Sequence, residues 1–409
     1  MSFSSLSLMP VLVNRLSQLG YEQPTAIQQQ AIPAVLAGKD VLAGAQTGTG
    51  KTAAFVLPIL QMLLADKVQP LGDNCKALIL VPTRELAQQV HQSVEKYAGD
   101  SGIKSVIVYG GVSIKAQADA IKAGADIIVA TPGRLLDHLR SRVMSLANLN
   151  HLVFDEADRM LDMGFRDEII EVLKRLPKER QTLLFSATLD ERIFKFSKRL
   201  LRSPQVIETS ERNSTAAKIV ERVYNLDANK KMPALCHLIN KENWQQALLF
   251  SRTKQGADKV AAQMKQAGVN AAAFHADLSQ AVRESVLAQF KSGEIKALVA
   301  TDVAARGLDI NELNYVVNIE LPFQNEDYIH RIGRTGRAGK AGQAITLLSV
   351  DDEPQLIKLE AFLDRRLPQQ WLQGFEPDLT QVAPVTRKTK KGSLKQQARQ
   401  KALAQSKRK

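Results

Sequence analysis

Short runs of apolar, often β-branched residues recur along the chain, and each stops abruptly at polar residues or glycine. In the first half, Val41-Leu-Ala precedes Gly44-Ala-Gln-Thr-Gly, and Ala77-Leu-Ile-Leu-Val precedes Pro82-Thr-Arg-Glu. Asp126-Ile-Ile-Val-Ala runs into Thr131-Pro-Gly-Arg, Leu152-Val-Phe into Asp155-Glu-Ala-Asp, and Thr182-Leu-Leu-Phe into Ser186-Ala-Thr. Longer stretches with helical spacing lie between them, such as Glu85 to Ala98 and Asp167 to Leu176. Apolar runs that do not alternate belong to strands buried on both faces, so the pattern predicts a parallel sheet with helices on each side. The second half repeats the scheme. Ala247-Leu-Leu-Phe precedes Ser251-Arg-Thr, Ala271-Ala-Ala-Phe precedes His275, and Ala297-Leu-Val-Ala precedes Thr301-Asp, with Tyr315-Val-Val-Asn-Ile and Ala344-Ile-Thr-Leu-Leu to follow. Between Pro204 and Val220 the apolar signal lapses, around Glu208-Thr-Ser-Glu-Arg-Asn-Ser-Thr. The expectation is an α/β protein of two tandem doubly wound parallel-sheet domains, 1–207 and 220–381, joined by a linker at 208–219. In such sheets ligands bind beyond the carboxyl ends of the strands. Nearly every run here ends in residues suited to phosphate, metal or hydroxyl chemistry.

Composition narrows the class. At about 150 residues per domain, a chain of 409 residues fits two domains. The longest apolar stretch near the start, Ala53 to Leu60, is far shorter than the ~18 residues a membrane span needs. Met1-Ser-Phe-Ser-Ser lacks the basic start of a secretory leader. Cys75 and Cys236 are too few and too far apart for a disulfide framework or a zinc site. A cytoplasmic protein with no membrane contact is expected. The formal charge of +13 divides unevenly. Ten bases and no acid lie between Thr386 and Lys409, which leaves 45 bases against 42 acids, or +3, for the rest. A nearly neutral body therefore carries a basic tail, 382–409, whose scarcity of apolar residues predicts disorder and suggests a nonspecific tether for a polyanion.

Ala45-Gln46-Thr47-Gly48-Thr49-Gly50-Lys51-Thr52 follows one expected strand and opens a helical run. That is the setting of a phosphate-binding loop. Backbone N–H groups wrap a β-phosphate at the helix start, Lys51 reaches the β/γ oxygens, and the Thr52 hydroxyl reaches Mg²⁺. The usual pattern begins with glycine where Ala45 stands. Asp155 projects from a strand end as a metal-side carboxylate should, and Glu156 is placed to orient and polarise an attacking water. In the second half, His330-Arg-Ile-Gly-Arg334-Thr-Gly-Arg337 crowds four cationic or titratable side chains into eight positions. Arg334 and Arg337 can face one way and stabilise charge on a transferring phosphoryl group across the cleft, an effect worth about 4–7 kcal/mol.

Taken together, Gln28, Ala45–Thr52, Pro82-Thr-Arg-Glu-Leu-Ala, Gly110-Gly111, Thr131-Pro-Gly-Arg134 and Asp155-Glu-Ala-Asp158 resemble the ordered motif set of DEAD-box ATP-dependent RNA helicases. Ser186-Ala-Thr188, Thr301 to Asp309 and His330 to Arg337 continue it. Within that family the chain most resembles the bacterial RhlE-like branch. The resemblance implies two RecA-like domains, ATP with Mg²⁺ in the cleft between them, and RNA lying across both. It implies that Gln28 reads adenine, a pairing worth ~1–3 kcal/mol of discrimination, that Phe3 stacks on the base, and that Thr25 braces the phosphate loop. Gly307 and Asp309 would approach the ribose. Asp158, Ser186, Thr188 and His330 would couple the two sites, with the two hydroxyls bonding Asp158 and His330.

The resemblance also assigns RNA contacts to Arg84, Gly110, Gly111, Thr131 and Arg134 of the first domain and to Arg252, Arg283 and Thr301 of the second. Hydroxyls, glycine amides and arginines suit recognition of a nucleic-acid backbone rather than bases. The expected activity is RNA-dependent ATP hydrolysis coupled to closure on single-stranded RNA, which unwinds short duplexes and remodels RNA or RNA–protein complexes. The alternative is an ATP-gated RNA clamp with little strand separation. A DNA-translocating helicase is disfavoured by Gln28 and by Ala-Asp closing the acidic motif. RNA is the expected partner, ribosomal or mRNA-decay complexes are candidate assemblies, and a monomer is expected.

Overall fold

The computed structural model describes residues 2–45, 48–66, 75–209, 219–305, 308, 310, 313–336 and 341–378. Its first lobe holds β1 (Val41–Gly44), β2 (Ala77–Leu80), β3 (Ser105–Val108), β4 (Ile127–Ala130), β5 (His151–Phe154), β6 (Gln181–Ser186) and β7 (Gln205–Glu208). The second holds β8 (Ile219–Asn225), β9 (Ala247–Phe250), β10 (Ala271–Phe274), β11 (Ala297–Ala300), β12 (Tyr315–Asn318), β13 (Gly342–Leu348) and β14 (Gln369–Gln370). Each lobe is one seven-stranded parallel sheet, ordered β3-β4-β2-β5-β6-β1-β7 and β10-β11-β9-β12-β13-β8-β14. These are the two expected RecA-like domains.

Continuous apolar strands are explained by what covers them. Ala77 and Ile79 of β2 enter a core shared with Val129 and Val153, while Leu78 and Leu80 enter a second core with Ile128, Leu152 and Phe154 on the opposite face. Every β2 residue is buried, so nothing selects polar alternates. Four strands were not expected from the sequence: β3, β7, β8 and β14. Three are sheet edges and β8 lies next to one, so their faces are partly exposed; β7, β8 and β14 are interrupted by polar residues, whereas β3 does carry the short apolar run Val106-Ile107-Val108. The expected linker is bracketed by β7, which ends at Glu208, and β8, which begins at Ile219, while 210–218 and the basic tail lie outside the described residues. Among the described residues no helix is long and apolar enough to cross a membrane.

The parallel order brings every motif-bearing strand end of both lobes to one edge, and the two edges face each other. Arg159 Nη1 approaches Asp327 Oδ1 across the cleft at 3.9 Å. Farther along, Arg283 Nη2 lies 2.8 Å from Glu85 Oε1, Arg84 Nη1 donates to Gln280 Oε1 at 3.3 Å, and Gln88 Nε2 donates to Glu284 Oε1 at 3.1 Å.

Candidate nucleotide site and nucleic-acid face

Beyond β1 the chain turns through Gly48 and Gly50, both in the left-handed region, and enters the helix Lys51–Ala65. At Gly50 (φ +88°) a Cβ would also lie 2.4 Å from Gln28 Nε2, so glycine is required twice over. Gln28 Nε2 donates to Gly50 O at 3.1 Å and its Oε1 accepts from Thr25 N at 3.0 Å. Gln28 thus ties the loop to the adjoining helix, and Thr25 holds the Gln28 amide in place. In this arrangement the Gln28 amide is engaged with protein rather than open to a base. Lys51 is 6% exposed with Nζ lacking a hydrogen-bond partner. Thr49 and Thr52 are half-buried beside it, and Gln46 and Thr47 lie outside the described residues. Two expected nucleotide contacts are placed elsewhere. The Ala45 amide donates to Ser186 O at 3.0 Å, which removes it from any phosphate cradle. Phe3 is buried with Leu6, Leu8 and Leu12 in the first core, where it anchors the N-terminal segment instead of facing a ligand.

Facing Lys51, β5 ends in Asp155 and Glu156, both 3% exposed. Asp155 Oδ1 and Glu156 Oε2 have no hydrogen-bond partner. Burial pushes the Asp155 carboxyl up to about 7; Lys51 draws it down, and Glu156 and Asp158 raise it further. Glu156 adopts φ +55°, a left-handed conformation that costs a residue with a Cβ roughly 1–2 kcal/mol, with Arg159 Nε 3.7 Å from its carboxylate. Asp158 accepts from Thr188 N at 3.2 Å and Thr188 Oγ1 at 3.3 Å. Burial would raise the Asp158 carboxyl, but Arg159, His330 and Lys51 more than offset this and hold it below the usual range. The expected Thr188 contact with Asp158 is therefore present. The expected Ser186 contact is not, because Ser186 Oγ is fully buried without a partner.

The second lobe walls the cleft with His330, Arg331 and Arg334, which line one pocket together with Arg159, Phe250, Asp302 and Ala305. Burial, and then Arg159, hold the His330 ring below its ordinary pKa, against the pull of Asp327 and Asp158. Arg334 is 4% exposed and donates to Leu308 O at 3.2 Å. Arg337, Gly307 and Asp309 lie outside the described residues. Arg331, not among the expected site residues, is a strut. It grips both Asp302 oxygens at 2.6 and 2.7 Å and also bonds Asn318 Oδ1 and Glu320 O. Its position inside the cationic run was the available signal. Arg159, one residue beyond the acidic motif, was equally within reach.

On the other side of the cleft, Gly110, Gly111, Thr131 and Arg134 gather at the ends of β3 and β4, with Arg84 beside them. At Gly111 (φ +86°) a Cβ would lie 2.1 Å from Arg84 Nη1. Thr131 is 8% exposed at the start of the helix Pro132–Arg140. Thr301 lies opposite, at the end of β11 and 7% exposed. Two second-lobe arginines differ from expectation. Arg252 is committed within its own lobe: its guanidinium bonds Leu321 O and Asp352 Oδ1 and stacks 5.2 Å from the Phe323 ring. Arg283 forms the ion pair with Glu85 across the cleft and lies over Phe274, so the structure makes it an interlobe contact rather than a free phosphate ligand.

Two seven-stranded parallel domains with a phosphate loop on one and an arginine-rich wall on the other define a two-lobed nucleotide-driven machine. The DEAD/DEAH box helicase model matches residues 25–196, and the helicase conserved C-terminal domain model matches 230–339. The chain is 42% identical over 365 residues to the ATP-dependent RNA helicase CshA of Listeria monocytogenes, covering 89% of this chain and 69% of that one. It is 41% identical over 382 residues to the RNA helicase CrhR of Synechocystis, covering 93% and 76%. Its fold superimposes on S. cerevisiae Dbp5 bound to RNA and ADP BeF3 with a TM-score of 0.81 and 30% identity, over 92% of this chain and 95% of that one. The chain belongs to the DEAD-box RNA helicase family.

Proposed function

We propose that the protein is an RNA-dependent ATPase that closes its two lobes on ATP and single-stranded RNA and so separates short duplexes and remodels RNA–protein complexes. One observation carries this reading: Lys51 Nζ and Asp155 Oδ1, both buried without a hydrogen-bond partner, interact with each other and with Glu156, while His330 of the opposite lobe faces Asp158 and joins Arg334 and Arg159 in lining the adjoining pocket. Burying such groups without partners costs about 1–3 kcal/mol each, and a magnesium-bound triphosphate supplies partners for them. Lys51 then binds the β/γ oxygens and Glu156 orients the attacking water. Arg334 and Arg337 meet the charge that develops on the transferred phosphoryl group.

The donor set fits Mg²⁺. Thr52 and Asp155 would hold it, and Asp155 is the carboxylate whose ionisation burial opposes most clearly. Among the described residues no cluster of three or more His, Cys, Asp or Glu could hold a metal alone. Such a set suits an ion that keeps waters and phosphate oxygens as its remaining ligands. An ion held there would supply charge neutralisation on the phosphates.

Closure couples the sites because ATP and RNA each favour the form in which both lobes contribute. Superposition on a relative holding RNA and ADP BeF3 supports the closed form as the productive one. Each stacked step costs about 1.4 kcal/mol to open, so one closure melts only a few pairs. The protein would act in the cytoplasm as a single chain. The test is ATP turnover with and without single-stranded RNA, together with release of a strand from a short duplex. Lys51→Ala should abolish turnover, at least a hundredfold below the parent; parent-like hydrolysis in that variant would refute the site.

A further inference from the structure

Arg134 and the backbone that leads into Gly110-Gly111 meet at a side chain that belongs to none of the motifs. Gln117, in the helix Ile114–Lys122, is 8% exposed. Its Nε2 donates at 2.9 Å to Tyr109 O, the carbonyl that leads into Gly110. Its Oε1 accepts from Arg134 Nη1 at 3.3 Å and lies 3.2 Å from His138 Nε2. A guanidinium can only donate, which fixes the orientation of the amide: oxygen toward Arg134, NH₂ toward the carbonyl. His138 must then carry its proton on Nε2, leaving Nδ1 buried and unpartnered. Burial, and then Arg134, keep its pKa below the ordinary value, so the ring stays neutral beneath the arginine. Arg134 is pinned from the turn as well, donating to Val112 O at 3.0 Å. The network reaches the opposite lobe, because Gln88 Nε2 donates both to Tyr109 Oη and to Glu284.

We infer that Gln117 is a positioning residue for RNA binding. Its single planar amide holds the Gly110-Gly111 turn and the Arg134 guanidinium in mutual register, so that both meet one RNA backbone together. This rests on the proposed closure on single-stranded RNA and on the family resemblance that assigns Gly110, Gly111 and Arg134 to the RNA backbone. The side chain does two opposite jobs at once, donor to the turn and acceptor from the arginine. No apolar residue of the same length performs either.

The test uses the full chain with polyuridylate and a fluorescent ATP analogue. Gln117→Met should weaken polyuridylate binding about five- to tenfold, the size of one ordinary hydrogen bond. The slope of log affinity against log salt should flatten by about 0.7, the share of one phosphate contact. Affinity for the ATP analogue without RNA should not change, whereas a purely structural role would lower both affinities together. In an Arg134→Ala background, Gln117→Met should cost less than it does in the parent, because only the hold on the turn is left to lose. If Gln117→Met does not fold, Gln117→Glu decides: it keeps the acceptor for Arg134 and loses the donor to Tyr109, so the parent salt slope should persist while affinity falls. Parent-like affinity and slope in Gln117→Met, additive losses with Arg134→Ala, or a flattened slope in Gln117→Glu would each overturn the inference. Failure of the unsubstituted chain to bind polyuridylate would remove the proposed function itself, a result separable from all of these.

Discussion

Asp155 shows how strongly a single position is shaped by ligand chemistry. Its carboxyl sits at the end of β5, and burial raises its pKa from 3.8 to about 7. Below about pH 4 the group is protonated in both the folded and unfolded chain, and its contribution to stability is complete. Between about 4 and 7 the unfolded chain releases the proton and the folded chain retains it, so stability drains away as pH rises; above about 7 the loss is complete. The ligand-free protein should therefore be burdened at neutral and alkaline pH by a residue that a structural role alone would have replaced. Thermal unfolding from pH 5 to 8 checks this. Asp155→Asn should melt several degrees above the parent at pH 8, with the gap narrowing toward pH 5, and a gap that did not change with pH would contradict the assignment. Residues of this kind were legible in the sequence because they are polar groups placed where a buried strand ends. Ser186 and Arg252 were legible as polar strand-end residues too, but not in their partners. Which acceptor a side chain finds depends on elements far away in sequence, such as Leu321 and Asp352 for Arg252.

At the scale of elements, the helices Arg84–Ala98 and Gln280–Lys291 meet end to end across the cleft, and Arg283 with Glu85 is their central contact. Both side chains are nearly fully buried, so removing either partner strands a charge that water cannot reach. Arg283→Gln and Glu85→Gln should each raise the RNA concentration for half-maximal ATPase stimulation roughly tenfold, about 1.4 kcal/mol. The double substitution should be no worse than the poorer single one, since the two act through one contact. Additive losses would show that the pair is not coupled, and Arg283 would return to the RNA face as an independent contact. The sequence marked Arg283 and Pro82-Thr-Arg-Glu85 separately and could not say that they touch, because nothing local encodes an ion pair between residues of different domains. Strands divide in the same way. Those buried on both faces announce themselves as apolar runs, as β2 and β11 do. The edge strand β7, with one buried residue in four, has no such pattern to read.

For the whole molecule, two sources of RNA affinity are separable by charge. On the proposed mechanism the groove between the lobes forms only on closure, so its affinity would depend on nucleotide. The ten bases after Val385 are attached to a body of net charge +3, and their attraction for a polyanion depends on counterion release rather than on closure. At about 0.7 per neutralised phosphate on a single strand, they steepen the salt dependence of RNA binding by at most ~7. Truncation after Val385 should accordingly flatten that slope and weaken RNA binding most at low salt, where counterion release is worth most. ATP hydrolysis without RNA should not change, and the maximal rate at saturating RNA should survive, because the proposed cleft chemistry is assigned to residues of the two lobes. Titration of labelled single-stranded RNA at several salt concentrations, with ATPase measured on the same samples, distinguishes the cases. An unchanged slope would leave the lobes as the entire binding surface. A slope that flattened while maximal turnover also collapsed would make the tail part of closure itself, and the division between a nucleotide-gated groove and an ungated tether would not hold.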